Sequence, residues 1–201
     1  MRFSFPLLLI LLSLSFPSFG AYSDKEVTGY DKSDKGVTAA KNGDYATALK
    51  EWTPLAEQGN AYAQFNLGSM YEYGDGVPQD YSTAVKWYTL SAEQGNANAQ
   101  INLGMMYENG KGVPQDYKTA VKWHTLAAEQ GDALAQFNLG LMYAFGRGVL
   151  QDNVYAHMWF NIAASNGVEH APTGREMVAK QMTPADISKA QQCVAKDYKG
   201  C

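Results

Sequence analysis

Cysteine is nearly absent from this 201-residue chain: there are two, Cys193 and Cys201, both within the last nine residues. Histidine is almost as scarce. The three that occur, His124, His157 and His170, are scattered and form no His-Glu-x-x-His pair. Ser-x-x-Lys and Gly-x-Ser-x-Gly are missing too, so none of the familiar metallohydrolase or serine-nucleophile spacings is available. Lys and Arg are never clustered, and acidic residues outnumber them 20 to 16. That balance disfavours nucleic acid and anionic membrane surfaces as partners. Beyond residue 20, no apolar run approaches the ~18 residues of a membrane span.

The first 20 residues read as a leader rather than as part of the fold. Arg2 supplies a positive start, Phe5 to Phe16 is an apolar run of h-region length, and Ser18-Phe19-Gly20 presents small residues for a signal peptidase. Cleavage after Gly20 would leave Ala21 to Cys201, with 15 basic and 20 acidic residues and a formal charge of −5. The competing reading is a membrane anchor, and Pro17 with the polar residues past Ala21 cuts the run short for that. The expected location is periplasmic or secreted, with no membrane insertion after cleavage.

Export changes how the cysteines are read, because thiols oxidise there. Eight helical steps would separate Cys193 and Cys201 by ~12 Å, beyond the ~7 Å reach of a disulfide. Pairing therefore requires the helix carrying Cys193 to end and the chain to double back, which Gly200 permits. The sequence predicts a Cys193–Cys201 disulfide, in competition with two free thiols on a frayed tail.

What the chain has in abundance is itself. Residues 61–96 and 97–132 are blocks of 36 residues identical at 27 positions, and 133–168 follows the same pattern. A partial copy precedes them within 21–60, where Asp44-Tyr45, Ala48, Trp52 and Ala56 to Asn60 fall in phase. A period of this length marks a solenoid, one supersecondary unit stacked along an axis. In each unit Ala61, Gln64, Leu67, Gly68 and Tyr71 recur at three- and four-residue spacing, one face of a helix. Gly74 ends that helix, and Gly74 to Asp80 forms a loop in which Pro78 bars helix continuation. Asp80 is placed to cap a second helix, which carries Tyr81, Ala84, Val85, Trp87, Tyr88 and Ala92 inward and stops at Gly95. Trp87, Trp123 and Trp159 are expected to form a ladder along the core. His124 stands where Tyr88 and Phe160 stand, so it reads as a core substitute, and His157 takes the place of Val85 and Val121.

The unit resembles the Sel1-like repeat, a relative of the tetratricopeptide repeat. The resemblance rests on Ala-x-Ala-Gln-x-Asn-Leu-Gly-x-Met-Tyr, Gly-x-Gly-Val-Pro-Gln-Asp-Tyr, Ala-Val-Lys-Trp and Ala-Glu-Gln-Gly, and covers Asp44 to about Gly167. It implies an all-α, right-handed superhelix of antiparallel helix pairs. It also implies an adaptor or scaffold without catalysis or cofactor, its first helices lining the concave side. Some exported members carry a cysteine pair with seven residues between, as here. They carry it in every repeat, whereas this chain has it only at the end. The expected helical cap spans 169–201. Within it Glu176 to Met182 continues the pattern weakly, and Thr183-Pro184-Ala185-Asp186 opens a last helix to about Lys196.

Variation between the repeats suggests a binding face. Opposite the stripe of Gln64, Leu67 and Tyr71, the first helix carries Tyr62, Asn66, Ser69 and Tyr73. The next repeat has Asn98, Asn102, Met105 and Asn109 there, and the third has Leu134, Asn138, Leu141 and Phe145. The asparagine persists while its neighbours change, which suits a groove gripping the backbone of a partner protein or extended peptide. Contact of these asparagines with a neighbouring helix is the alternative. Leu134, Leu141 and Phe145 are expected to form an exposed apolar patch. The rival functions are an envelope hydrolase acting on cell wall or β-lactams, and a periplasmic regulator of a membrane sensor.

Overall fold

Each helix of the repeat starts at a side chain that accepts a hydrogen bond from its first turn. In the computed structural model, which describes residues 35–195, Asn60 Oδ1 accepts from the Ala63 N–H (2.9 Å), Asp80 Oδ1 from Ser82 (2.9 Å) and Asn96 Oδ1 from Ala99 (3.0 Å). Asp116, Asp132 and Asp152 do the same further along. These caps satisfy N–H groups that have no partner within the helix. The other end is set by Gly74, Gly110 and Gly146, all left-handed (φ 76°, 66° and 65°), a conformation glycine adopts without penalty.

The result is ten helices, with no strand among the described residues. A short α1 (Lys35–Lys41) pairs with α2 (Tyr45–Glu57). Three full pairs follow: α3 (Ala61–Tyr73) with α4 (Tyr81–Glu93), α5 (Ala97–Asn109) with α6 (Tyr117–Glu129), and α7 (Ala133–Phe145) with α8 (Asn153–Ser165). Then come α9 (Ala171–Ala179) and α10 (Pro184–Ala195). Consecutive helices pack from α1 through α9, giving an all-α solenoid of antiparallel pairs.

The spine of the solenoid is a column of rings. Trp52, Tyr88, His124 and Phe160 hold one position of the second helices, and all are 0% exposed. Each lies on a glycine of its paired first helix: Gly36, Gly68, Gly104 and Gly140. A Cβ at Gly68, Gly104 or Gly140 would stand 2.5, 2.7 or 2.6 Å from the ring, so only glycine lets the pair close. The expected tryptophan ladder is therefore displaced by one residue. Trp123 and Trp159 are buried (8% and 5% exposed) beside the column, and Trp87 is half-buried. The expectation that His124 fills a core position holds.

A second column is polar and fully paired. Gln64 donates to the Ala56 carbonyl (3.0 Å) and accepts from Gln94 Nε2 (2.7 Å). Gln100 joins the Ala92 carbonyl to Gln130 in the same way, and Gln136 joins the Ala128 carbonyl to Asn166. Each buried glutamine ties the end of one repeat to the start of the next, with its amide satisfied as burial requires.

The last helices close the stack. In α9, Gly174 takes the position of Asn138 and lies against Phe160, continuing the register. Glu176 falls where Gly140 stood and is exposed, so α9 offers no seat for another ring. Instead α10 folds back onto α8. Its start is a capping box, with Thr183 N–H donating to Asp186 (3.1 Å) and the Asp186 N–H donating to Thr183 Oγ1 (3.2 Å).

Candidate interaction surface

The expected groove residues divide into three kinds. Asn66 (1% exposed), Asn102 (4%), Ser69 (6%) and Leu141 (7%) are buried. Tyr62, Asn98, Met105, Leu134, Asn138 and Phe145 are half-buried, while Tyr73 and Asn109 are exposed. The reading that all twelve lie opposite a single buried stripe is thus corrected. Eight consecutive residues of α3, Ala63 to Met70, are buried, because a first helix in the stack packs against its own second helix and the preceding one. A helix enclosed on several sides has no single free face.

The asparagine column shows where such a side chain goes. Asn102 Nδ2 donates to the Tyr88 hydroxyl (3.0 Å), and that hydroxyl donates to Glu72 Oε2 (2.7 Å). Burial pushes the Glu72 carboxyl above its ordinary range, against the opposing pull of the Tyr88 hydrogen bond and the Lys111 charge. In the next repeat Glu108 meets Arg147 Nη1 (3.3 Å) and stands 3.9 Å from His124 Nε2. Of the two readings of these asparagines, contact with a neighbouring helix holds for Asn102.

The apolar patch expected at Leu134, Leu141 and Phe145 is reduced: Leu134 and Phe145 are only half-buried. Leu141 is buried with Val178 of α9, and Phe145 packs on that cluster beside Met177 and Met182. Leu134 packs against the cluster around Leu139 and Trp159. The terminal cap covers what two helices alone would expose. Of the large apolar side chains that reach solvent, Tyr73 (39% exposed) belongs to the expected groove; the others are Leu55, Leu90 and Leu126 on second helices and Leu150 in a loop, 40%, 44%, 36% and 91% exposed. Sequence reasoning missed Leu90 and Leu126, although both recur at one repeat position and no inward stripe claims them.

Six of the expected groove residues form two rows near the ends of the first helices. One holds Tyr62, Asn98 and Leu134, at the second position of each helix; the other holds Tyr73, Asn109 and Phe145, at the last. The first row runs from aromatic through amide to aliphatic and the second from aromatic through amide back to an apolar ring, and neither contains a charge. Among the described residues no three His, Cys, Asp or Glu side chains gather as a metal site would require. His124 and His157 are buried in different repeats.

The family model for the Sel1 repeat matches residues 61–96, 97–132 and 133–168. This chain belongs to the Sel1 repeat family. The crystal structure of a Sel1 repeat protein from Oxalobacter formigenes is 37% identical, with a TM-score of 0.59 over 64% of this chain and 97% of that one. The cysteine-rich protein B of Helicobacter pylori shares the fold at 21% identity, with a TM-score of 0.50 over 71% of this chain and 98% of its own. No curated protein matches the sequence. Sel1 repeats typically form protein–protein interaction scaffolds. No described helix is long and apolar enough to cross a membrane. The expected leader (1–20) lies outside the described residues, as does Cys201, the expected partner of Cys193.

Proposed function

We propose that the protein is an exported adaptor that binds a segment of a partner polypeptide across its first helices. The observation that carries this reading is the change of chemistry along two rows of the first helices. Between the first two repeats Lys86 and Lys122, Thr89 and Thr125, and Glu93 and Glu129 are unchanged on the second helices, whereas both rows of the first helices differ there and change again in the third repeat. A row that differs from unit to unit can read a non-repeating partner. The partner strand would meet aromatic rings at Tyr62 and Tyr73, amides at Asn98 and Asn109, and apolar side chains at Leu134 and Phe145. Asn66, Ser69, Asn102, Met105, Asn138 and Leu141 would shape the floor between the rows. Export rests on the leader pattern of residues 1–20.

The test is capture from cell-envelope extract with the chain starting at Ala21, followed by affinity measurement on the captured partner. Tyr73→Ala combined with Asn109→Ala should weaken binding while leaving the melting temperature unchanged, since both side chains are exposed. Wild-type affinity in this folded variant, and in a second one carrying Tyr62→Ala and Asn98→Ala, would overturn the reading.

A further inference from the structure

The second helices carry an apolar surface that the first-helix reading does not use. Leu90 of α4 and Leu126 of α6 occupy the same repeat position and are 44% and 36% exposed. Beside Leu126, Trp123 forms the wall of a shallow groove that also includes Ala92, Gly95 and Gln100. Lys122 and Glu129 line the same groove, and Lys122 Nζ lies 5.2 Å from the centre of the Trp123 ring. Aliphatic side chains exposed in phase in successive repeats, next to a large aromatic, contribute little to the core and leave apolar surface in water.

The third repeat shows what covers this surface. There the equivalent residues are Trp159 and Ile162, and α10 lies over them. Cys193 of α10 is buried in one cluster with Trp159, and Val194 and Ile162 pack against that cluster. With Ala190, these residues place small apolar side chains at i, i+3 and i+4, one face of an amphipathic helix. The third repeat also has Met158 where the second has Lys122, and Ser165 where it has Glu129. Its charges are gone where the chain covers itself and present where it does not. An occupant of the second repeat must therefore match the α10 face in shape and answer Lys122 and Glu129 in charge.

We propose that the Trp123–Leu126 groove docks an amphipathic helix of another polypeptide, one with small apolar residues along one face and an acidic residue against Lys122. This surface belongs to the second helices, so the proposal stands apart from the first-helix reading. The interface of α10 on α8 continues directly onto it one repeat earlier.

The experiment uses the chain starting at Ala21, labelled with nitrogen-15, and a blocked peptide of residues 183–195 carrying Cys193→Ala and Lys189→Glu. The expected result is saturable amide shifts at Trp123, Leu126 and Gln130. Leu126→Glu and, separately, Lys122→Glu should each weaken binding by about tenfold with the melting temperature retained. Leu126→Gln serves the same purpose if the glutamate variant is unstable. Absence of shifts, or equal affinity in all variants, overturns the proposal. So do shifts confined to α8, which would mean exchange with the chain's own α10. Concentration-dependent self-association that Leu126→Glu abolishes also overturns it, assigning the groove to a second copy.

Discussion

Asn102 lies 14 residues after Tyr88 and donates its amide hydrogen to the Tyr88 hydroxyl at 3.0 Å, joining one repeat to the next inside the solenoid. The hydroxyl passes the bond on to Glu72 at 2.7 Å, so three side chains from three helices share one buried network. Asn66 holds the same position one repeat earlier, but there the ring is Trp52, whose indole offers no acceptor. The Asn66 amide is buried with no hydrogen-bond partner for Nδ2.

Asn102→Ala is therefore expected to destabilise the fold by about 1–2 kcal/mol, the range for removing one partner of a buried hydrogen bond. Tyr88→Phe should cost more, because it deprives both Asn102 and Glu72. Chemical denaturation of the two single variants and the double variant checks this. Additive losses would show that the network is not coupled.

The ring column makes a second prediction. Gly104→Ala places a methyl 2.7 Å from the His124 ring, so the helices must separate or the ring must rotate. A loss of about 1–3 kcal/mol is expected from such overpacking. Trp123→Ala should lose roughly 3–5 kcal/mol by emptying a large buried volume. An unchanged melting temperature for either variant would contradict the packing described.

The residues that fixed local structure were mostly plain in the sequence. Asp80 caps its helix where the pattern placed it, and Gly74 and its repeats end the first helices; the caps at Asn60 and Asn96 were not read from the pattern. The Thr183 to Asp186 capping box was equally legible. What a helical wheel could not show is how many neighbours a first helix has. It assumes one buried side, whereas α3 is enclosed along Ala63 to Met70, so Asn66 and Ser69 fell on a face wrongly read as open. Asn102 and Leu141 failed for the same reason. A signal was present: a glycine recurs at Gly68, Gly104 and Gly140, and a ring recurs 20 residues on at Tyr88, His124 and Phe160. Invariance of a small residue beside a large one marks contact, and that pair would have located the column ahead of the tryptophans.

At the C-terminal end, the expected Cys193–Cys201 bridge makes a testable pair of statements. Cys193 is buried (4% exposed) against the Trp159 cluster, which fixes one end of the loop in the cap. Alkylation of freshly isolated exported protein without reductant should add no label, and reduction should release two thiols. Cys201→Ser should then raise hydrogen exchange in α10 and leave α3 to α6 unchanged, because stability in a stacked array is mainly a matter of nearest neighbours.

The pH dependence of the third repeat follows from His157. Its ring is buried in α8 (5% exposed), where valine stands in the two earlier repeats. Burial, with the Arg175 guanidinium adding to it, holds the imidazole below its ordinary range. A histidine with a lowered folded pKa binds its proton more readily when unfolded, so stability falls as the proton is taken up. The stabilisation is complete above the unfolded value of about 6.5 and is lost as pH drops through the folded one. Val154, Tyr155 and their neighbours should lose hydrogen-exchange protection as pH falls from neutrality toward about 5. His157→Val restores the residue of the earlier repeats and removes the titrating group. It should flatten the pH dependence of the third repeat while keeping its stability at neutral pH. A variant that is as sensitive to acid as the wild type would place the responsible proton elsewhere.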